Sequence, residues 1–254
     1  MILVHRVTPF LVGLITAAGY AALLVLEKNQ FGWVLFSVVL VALLLARLIG
    51  WQWRNFQFWN LLITPLLFII SGIGVFLFFE NQPERIALTV LVPIFVFFFA
   101  EHVFAYIHLP TKYQAYAIEH LSLILSIVSI FFVGIIGFGT RLLMITPLYI
   151  LVPIFFTVSL FVIYGTLWVS KVEHKQARPY ALSLSVLVTE LFMSMTFLPT
   201  GFYTNAAVLA LCFYVLLGLT RAHFLNRLTR TVLKRYLILG AVLLVVIVGT
   251  AKWI

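Results

Sequence analysis

Apolar residues run in stretches about one bilayer thick, separated by short polar connections, through almost the whole chain. A hydrocarbon core of about 30 Å takes roughly 20 residues of helix. Nine segments meet that length: 8–26, 31–49, 57–79, 86–107, 118–138, 143–169, 181–198, 203–220 and 236–252. The pattern predicts an all-α protein, a polytopic transmembrane helix bundle of about nine spans that forms a single integral membrane domain over 1–254. The pair around Phe197-Leu198-Pro199-Thr200-Gly201 is the one ambiguous element. Its two flanks are short, so 181–220 reads either as two spans or as a re-entrant hairpin, and seven spans would leave both termini on the same sides as nine.

Composition agrees with the pattern: 64% of residues are hydrophobic, 9% are charged, and mean hydropathy is +1.19. A soluble domain of this size cannot carry so little polar surface. Charge then sets the orientation, because basic residues near span ends favour the cytoplasm. With the N-terminus inside, Arg6, Arg47, Arg54, Lys112, Lys171, Lys175, Arg178, Arg221, Arg227, Arg230, Lys234 and Arg235 fall on the inner side. Only Lys28, Arg85, Arg141 and Lys252 fall outside, which predicts a cytoplasmic N-terminus and an external C-terminus. The net charge of +9 is therefore a topological signal facing an anionic inner leaflet, and nucleic acid is not a predicted partner. Short loops fit a bacterial cytoplasmic membrane. The first apolar run is longer than the core of a secretion signal and reads as a span. Cys212, the single cysteine, has no partner for an intramolecular disulfide.

Two short matches, Ile63 to Leu66 with Ile145 to Leu148 and Leu91 to Phe95 with Leu151 to Phe155, have different offsets and define no repeat. Pro65, Pro93, Pro147 and Pro153 fall inside predicted spans, where proline removes a backbone donor and kinks the helix.

Several chemistries are excluded by what is missing. The chain has no aspartate, which removes paired-aspartate intramembrane proteolysis and a Ser-His-Asp triad. It has no HExxH, CxxC, GxSxG or glycine-rich phosphate loop. The first external loop, with Glu27 alone, is too small for a polytopic lipid-linked glycosyltransferase, and the late lysines lie in a loop (Lys171 and Lys175) or at a span end (Lys252), where they do not suit retinal.

What remains is a small set of ionisable groups in or beside the spans, where charge is costly and needs a reason. Glu190 lies about ten residues, or 15 Å, into its span, with Ser183 and Ser194 on its face at i−7 and i+4. Such a stripe is expected to face protein or a cavity. A second group gathers at the connection between spans four and five: Glu101, His102 and His108, then Glu119 and His120. Ser122, Ser126 and Ser129 continue from Glu119 at helical spacing, so carboxylates, imidazoles and hydroxyls line up as a proton or cation relay would require. Interfacial placement and close helix packing explain the same residues without a relay. A haem between His102 and His120 lacks an attachment motif and a second histidine pair, and His102, His108 and His120 match no metal-ligand spacing, so no cofactor or metal is predicted.

Between the last two spans, His223, Arg227, Arg230 and Lys234 share one helical face, and Phe224, Leu225, Leu228 and Val232 the other. This predicts a cytoplasmic basic amphipathic helix over 220–235 in contact with anionic lipid. Trp51, Trp53 and Trp59 read as an interfacial aromatic belt. Three function classes fit: a small transporter or ion-coupled permease, which the relay residues favour; an intramembrane enzyme on a lipid or isoprenoid substrate; and a non-catalytic assembly or scaffold subunit, paired with itself or with another membrane protein.

Overall fold

The computed structural model describes residues 2–26, 30–110, 113–114, 116–170, 172 and 174–251, with the backbone alone at 2–4 and 174. Among the described residues there are nine α-helices and no strand: α1 (Ile2–Val25), α2 (Gln30–Ile49), α3 (Phe56–Phe76), α4 (Gln82–His108), α5 (Ala117–Leu143), α6 (Leu148–Val169), α7 (His174–Met195), α8 (Phe202–Phe224) and α9 (Arg230–Gly249). Hydrocarbon offers no hydrogen-bond partner to backbone, so each crossing closes its own ladder as a helix. Eight of the nine are long and apolar enough to cross a membrane; α7 falls short of that apolarity. The chain divides into two compact units, 1–125 and 126–254, with the division falling inside α5.

In the first unit α1 packs on both α2 and α4, and α3 packs on both of the same helices. Small residues allow the closest approaches. A Cβ added at Gly13 would lie 2.9 Å from the Phe97 Cβ, and one added at Gly72 would collide with the Tyr20 hydroxyl. Tyr20 is buried, and its hydroxyl donates to the Ile69 carbonyl at 2.8 Å, tying α1 to α3. A phenol with no water to bond needs such an acceptor.

In the second unit α7 packs on α6 and α8, and α9 packs on α8. Phe192 of α7 organises the core: its ring stacks on Phe155 of α6 at 4.4 Å and 6° and tilts against Phe138 of α5 at 4.7 Å. Gly137 of α5 leaves room for that ring, since a Cβ there would lie 2.8 Å from it.

Several boundaries differ from those the sequence predicts. Helix α5 runs five residues beyond 138, and α6 begins at Leu148 rather than 143. Pro147 therefore caps α6 from outside and does not kink it. The turn is fixed by Arg141, which donates to the Thr146 carbonyl at 3.1 Å, and by Ile145 at φ 53°. Pro65, Pro93 and Pro153 do lie inside helices, together with Pro9 and Pro179. Helices α7 and α8, of 22 and 23 residues, are each about 33 to 35 Å long, and of the two only α8 is also apolar enough to cross a membrane.

The expected surface helix over 220–235 is replaced by two helix ends and a turn. Asn226 sits at φ 51°, Arg227 N–H bonds the Ala222 carbonyl and Asn226 N–H the His223 carbonyl. That is a Schellman termination, with asparagine in the left-handed position glycine usually takes. Thr229 then caps α9, its hydroxyl accepting from Val232 N–H at 3.3 Å.

The contact of Gly72 with Tyr20 gives a packing test. Gly72→Ala should destabilise the protein by about 1–3 kcal/mol, because the new methyl group meets the Tyr20 hydroxyl. In a Tyr20→Phe background most of that penalty should vanish. Thermal midpoints of the four proteins in detergent measure the coupling.

Candidate functional site

The polar residues around α4 and α5 in the first unit each have their own surroundings. His108, in the last turn of α4, places Nε2 3.2 Å from the Leu48 carbonyl, one of the carbonyls that the end of α2 leaves without a helical partner. Its ring stacks on His5 of α1, with centroids 4.6 Å apart and planes at 17°. Seven residues earlier on the same face, Glu101 is partly buried, and its Oε2 is sealed with no hydrogen-bond partner among the described residues. His102, beside it, is also partly buried.

Glu119 belongs to a different assembly. Tyr113 donates its hydroxyl to Glu119 Oε2 at 3.1 Å and accepts the Ile118 N–H at 3.1 Å. One phenol thus serves an orphan donor of the first turn of α5 and the carboxylate beside it. Burial raises the Tyr113 pKa above the ordinary tyrosine value; the Glu119 carboxylate adds to the rise and the Ile118 N–H opposes it. The group therefore stays a neutral donor at physiological pH. Tyr106 packs edge-on against Tyr113 at 5.2 Å and receives the Gln57 amide at 3.4 Å, which continues the network to α3. His120 is exposed. No three His, Cys, Asp or Glu side chains among the described residues are grouped to hold a metal ion.

The serine stripe of α5 is buried at Ser122, Ser126 and Ser129. Ser126 is hydrogen-bonded to Thr166 of α6 at 3.2 Å, while Thr166 also bonds the Val162 carbonyl at 2.7 Å. Ser129 Oγ is sealed and meets no partner among the described residues. Small hydroxyl residues with such contacts let helices approach closely and supply interhelical bonds.

Helix α7 is where the sequence and the structure diverge most usefully. Phe192 is locked between α5 and α6, and two residues of helix are a rotation of about 200°. Glu190 is consequently turned to the opposite side and is exposed, as are Ser183 and Ser194. Ser194 donates to the Glu190 backbone carbonyl at 2.8 Å, leaving the carboxylate to other partners. The buried hydroxyls of α7 are Ser185 and Thr189, each bonded to the carbonyl four residues earlier at 2.6 Å. The helix starts seven residues before the predicted 181, so Glu190 lies about 24 Å from His174 and about 8 Å from Met195. The added residues include Lys175, Gln176 and Arg178, all exposed and suited to headgroups, while exposed Phe197 and Leu198 prolong the apolar sequence past the helix end.

At the α8–α9 turn His223, Arg227, Arg230 and Lys234 are all exposed. Arg230 opens α9 and no acidic residue lies in that first turn, so basic groups meet the positive end of the helix dipole, an arrangement that costs about 0.3–1 kcal/mol per charge without an anion nearby.

Sequence reasoning missed His5, although antiparallel neighbours bring the start of α1 beside the end of α4, and it missed Tyr113, whose hydroxyl acts only through the loop that folds it back.

The helices and their burial pattern define a polytopic helical protein integral to a membrane. Over residues 8–250 the chain matches the family described as Protein of unknown function (DUF5656), and it belongs to that family. No curated protein and no solved structure matches it.

The α5–α6 contact predicts opposite responses from neighbouring serines. Ser126→Ala should lower the thermal midpoint by the loss of about 1 kcal/mol of buried hydrogen bonding, whereas Ser129→Ala, which removes an unpaired hydroxyl, should leave it unchanged or raise it. Thermal unfolding of the two purified variants checks both signs.

Proposed function

We propose that the protein is a non-catalytic assembly subunit that binds another membrane protein sideways, through the exposed face of α7. The observation that carries this reading is the outward position of Glu190 with Ser183 and Ser194 on a helix long enough to cross the bilayer. A carboxylate at that depth is expensive against lipid and is expected to meet protein or water. The chemistry of the stripe selects the partner: a transmembrane helix that presents a basic side chain at the depth of Glu190, with the two serines allowing close approach. The different surroundings of His108, Glu101 and Glu119 also favour structural roles for them. The basic α8–α9 turn sits on the cytoplasmic side in this reading, and the short connections suit a bacterial cytoplasmic membrane.

A small proton-coupled permease is the other reading of the same carboxylate, and it requires water at Glu190. In a Cys212→Ala background, Glu190→Cys in membrane vesicles should resist a membrane-impermeant thiosulfonate reagent. A photo-crosslinking residue in place of Ser183 should form an adduct with one membrane protein, at a helix carrying a basic residue. The yield of that adduct should fall about fivefold or more in Glu190→Lys. Rapid modification of Glu190→Cys overturns the proposal in favour of the permease, and adducts with lipid alone overturn it outright.

A further inference from the structure

The outer surface of α7, α8 and α9 carries two hollows in the second unit. One, of about 400 Å³, is apolar and lies between the three helices, with Leu187, Leu191, Cys212, Leu216, Leu237 and Leu244 among its walls. The other, of about 540 Å³, lies where α7 begins and α8 ends, bordered by Lys175, Gln176, Tyr180, His223 and Asn226. Tyr180 lines it, edge-on to Phe224 at 4.7 Å and 6.2 Å from the His223 ring. The Schellman turn holds Asn226 at its rim.

The two hollows follow the same helical faces. Along α7, Gln176, Tyr180, Leu187 and Leu191 fall at i, i+4, i+11 and i+15; along α8, His223, Leu216 and Cys212 fall at i, i−7 and i−11. Seven residues of helix separate the polar hollow from the apolar one on each, about 10 Å. On α9 the apolar wall runs from Tyr236 to Leu244, about 12 Å, close to the roughly 15 Å of one leaflet. Among the described residues, a basin with one lysine, one histidine and two amides thus stands in line, about 10 Å away along the helices, with an apolar groove on the same faces. Nearby, the first turn of α9 holds a basic residue, Arg230, and no acidic one to offset the helix dipole.

We infer that this slot holds one anionic phospholipid, with its phosphate in the basin against Lys175 and His223 and one acyl chain along the groove. The ammonium, imidazole and two amides supply donors for phosphate oxygens, and the groove supplies the apolar walls that a soluble phosphate does not use.

Native mass spectrometry of the detergent-solubilised protein tests the assignment with phosphatidylglycerol, phosphatidylcholine and soluble glycerol phosphate as probes. Phosphatidylglycerol should be retained in preference to phosphatidylcholine. Its occupancy should fall about fivefold or more in the double variant Lys175→Gln, His223→Gln, whose two positions are exposed and leave the core intact. Ala241→Trp, at an exposed position on the groove wall, should lower occupancy while the basin stays unchanged. Equal retention of phosphatidylcholine, or full occupancy in either variant, overturns the proposal. Displacement by glycerol phosphate at matching concentration overturns it in favour of a free phosphate ligand.

Discussion

Lipid tails are as apolar as leucine, so nothing like the hydrophobic effect drives these helices together once they are inserted, and the fold depends on how closely their surfaces fit. The recurring device is a glycine opposite an aromatic ring. Gly13 faces Phe97 between α1 and α4, Gly72 faces Tyr20 between α1 and α3, Gly137 faces Phe192 between α5 and α7, and Gly218 faces Tyr236 between α8 and α9. At Gly72, Gly137 and Gly218 a ring or its hydroxyl stands where a side chain would otherwise be, and at Gly13 the Phe97 Cβ does, so dispersion over the closely fitted surfaces is the attraction available in hydrocarbon. The same contacts set rotation. Once Phe192 is seated against Gly137, Phe138 and Phe155, the remaining faces of α7 are determined, and with them the outward direction of Glu190.

His108 and Tyr113 in the first unit follow a second rule, which is that a polar side chain finishes something the backbone leaves open. His108 meets a carbonyl at the end of α2, and Tyr113 meets a donor at the start of α5 before turning its hydroxyl to Glu119. These contacts gather where α4 ends and α5 begins, which is why titratable residues are dense there in the sequence. Glu101 stands apart, with one sealed oxygen and no described partner.

Much of the fold is legible in the sequence because a bilayer imposes a length on apolar segments and forbids anything but helix between them. The nine predicted segments correspond one to one with α1–α9. Where boundaries slip, a local conformation is responsible. The amphipathic spacing of His223, Arg227, Arg230 and Lys234 counts residues and cannot register that Asn226 turns left-handed. The stretch 139–147 is apolar enough to be divided in either way, and only the Arg141–Thr146 bond and Ile145 reveal where α5 stops. The cost of Glu190 is equally readable, but its direction is not, because it is decided by ring contacts between residues 37 to 54 positions apart. The stacking of His5 on His108 is hidden for the same reason.

Helix α9 has a property that follows from its single close neighbour. None of its described residues is buried, and Tyr236 against Gly218 is its tightest point of attachment. Detaching it would uncover one side of α8 and leave the packing of α1–α7 intact. Few buried contacts of this kind mark an element that opens at a lower free energy than the helices packed on both sides. During synthesis the packing of α6 and α8 on α7 can therefore form before α9 is made.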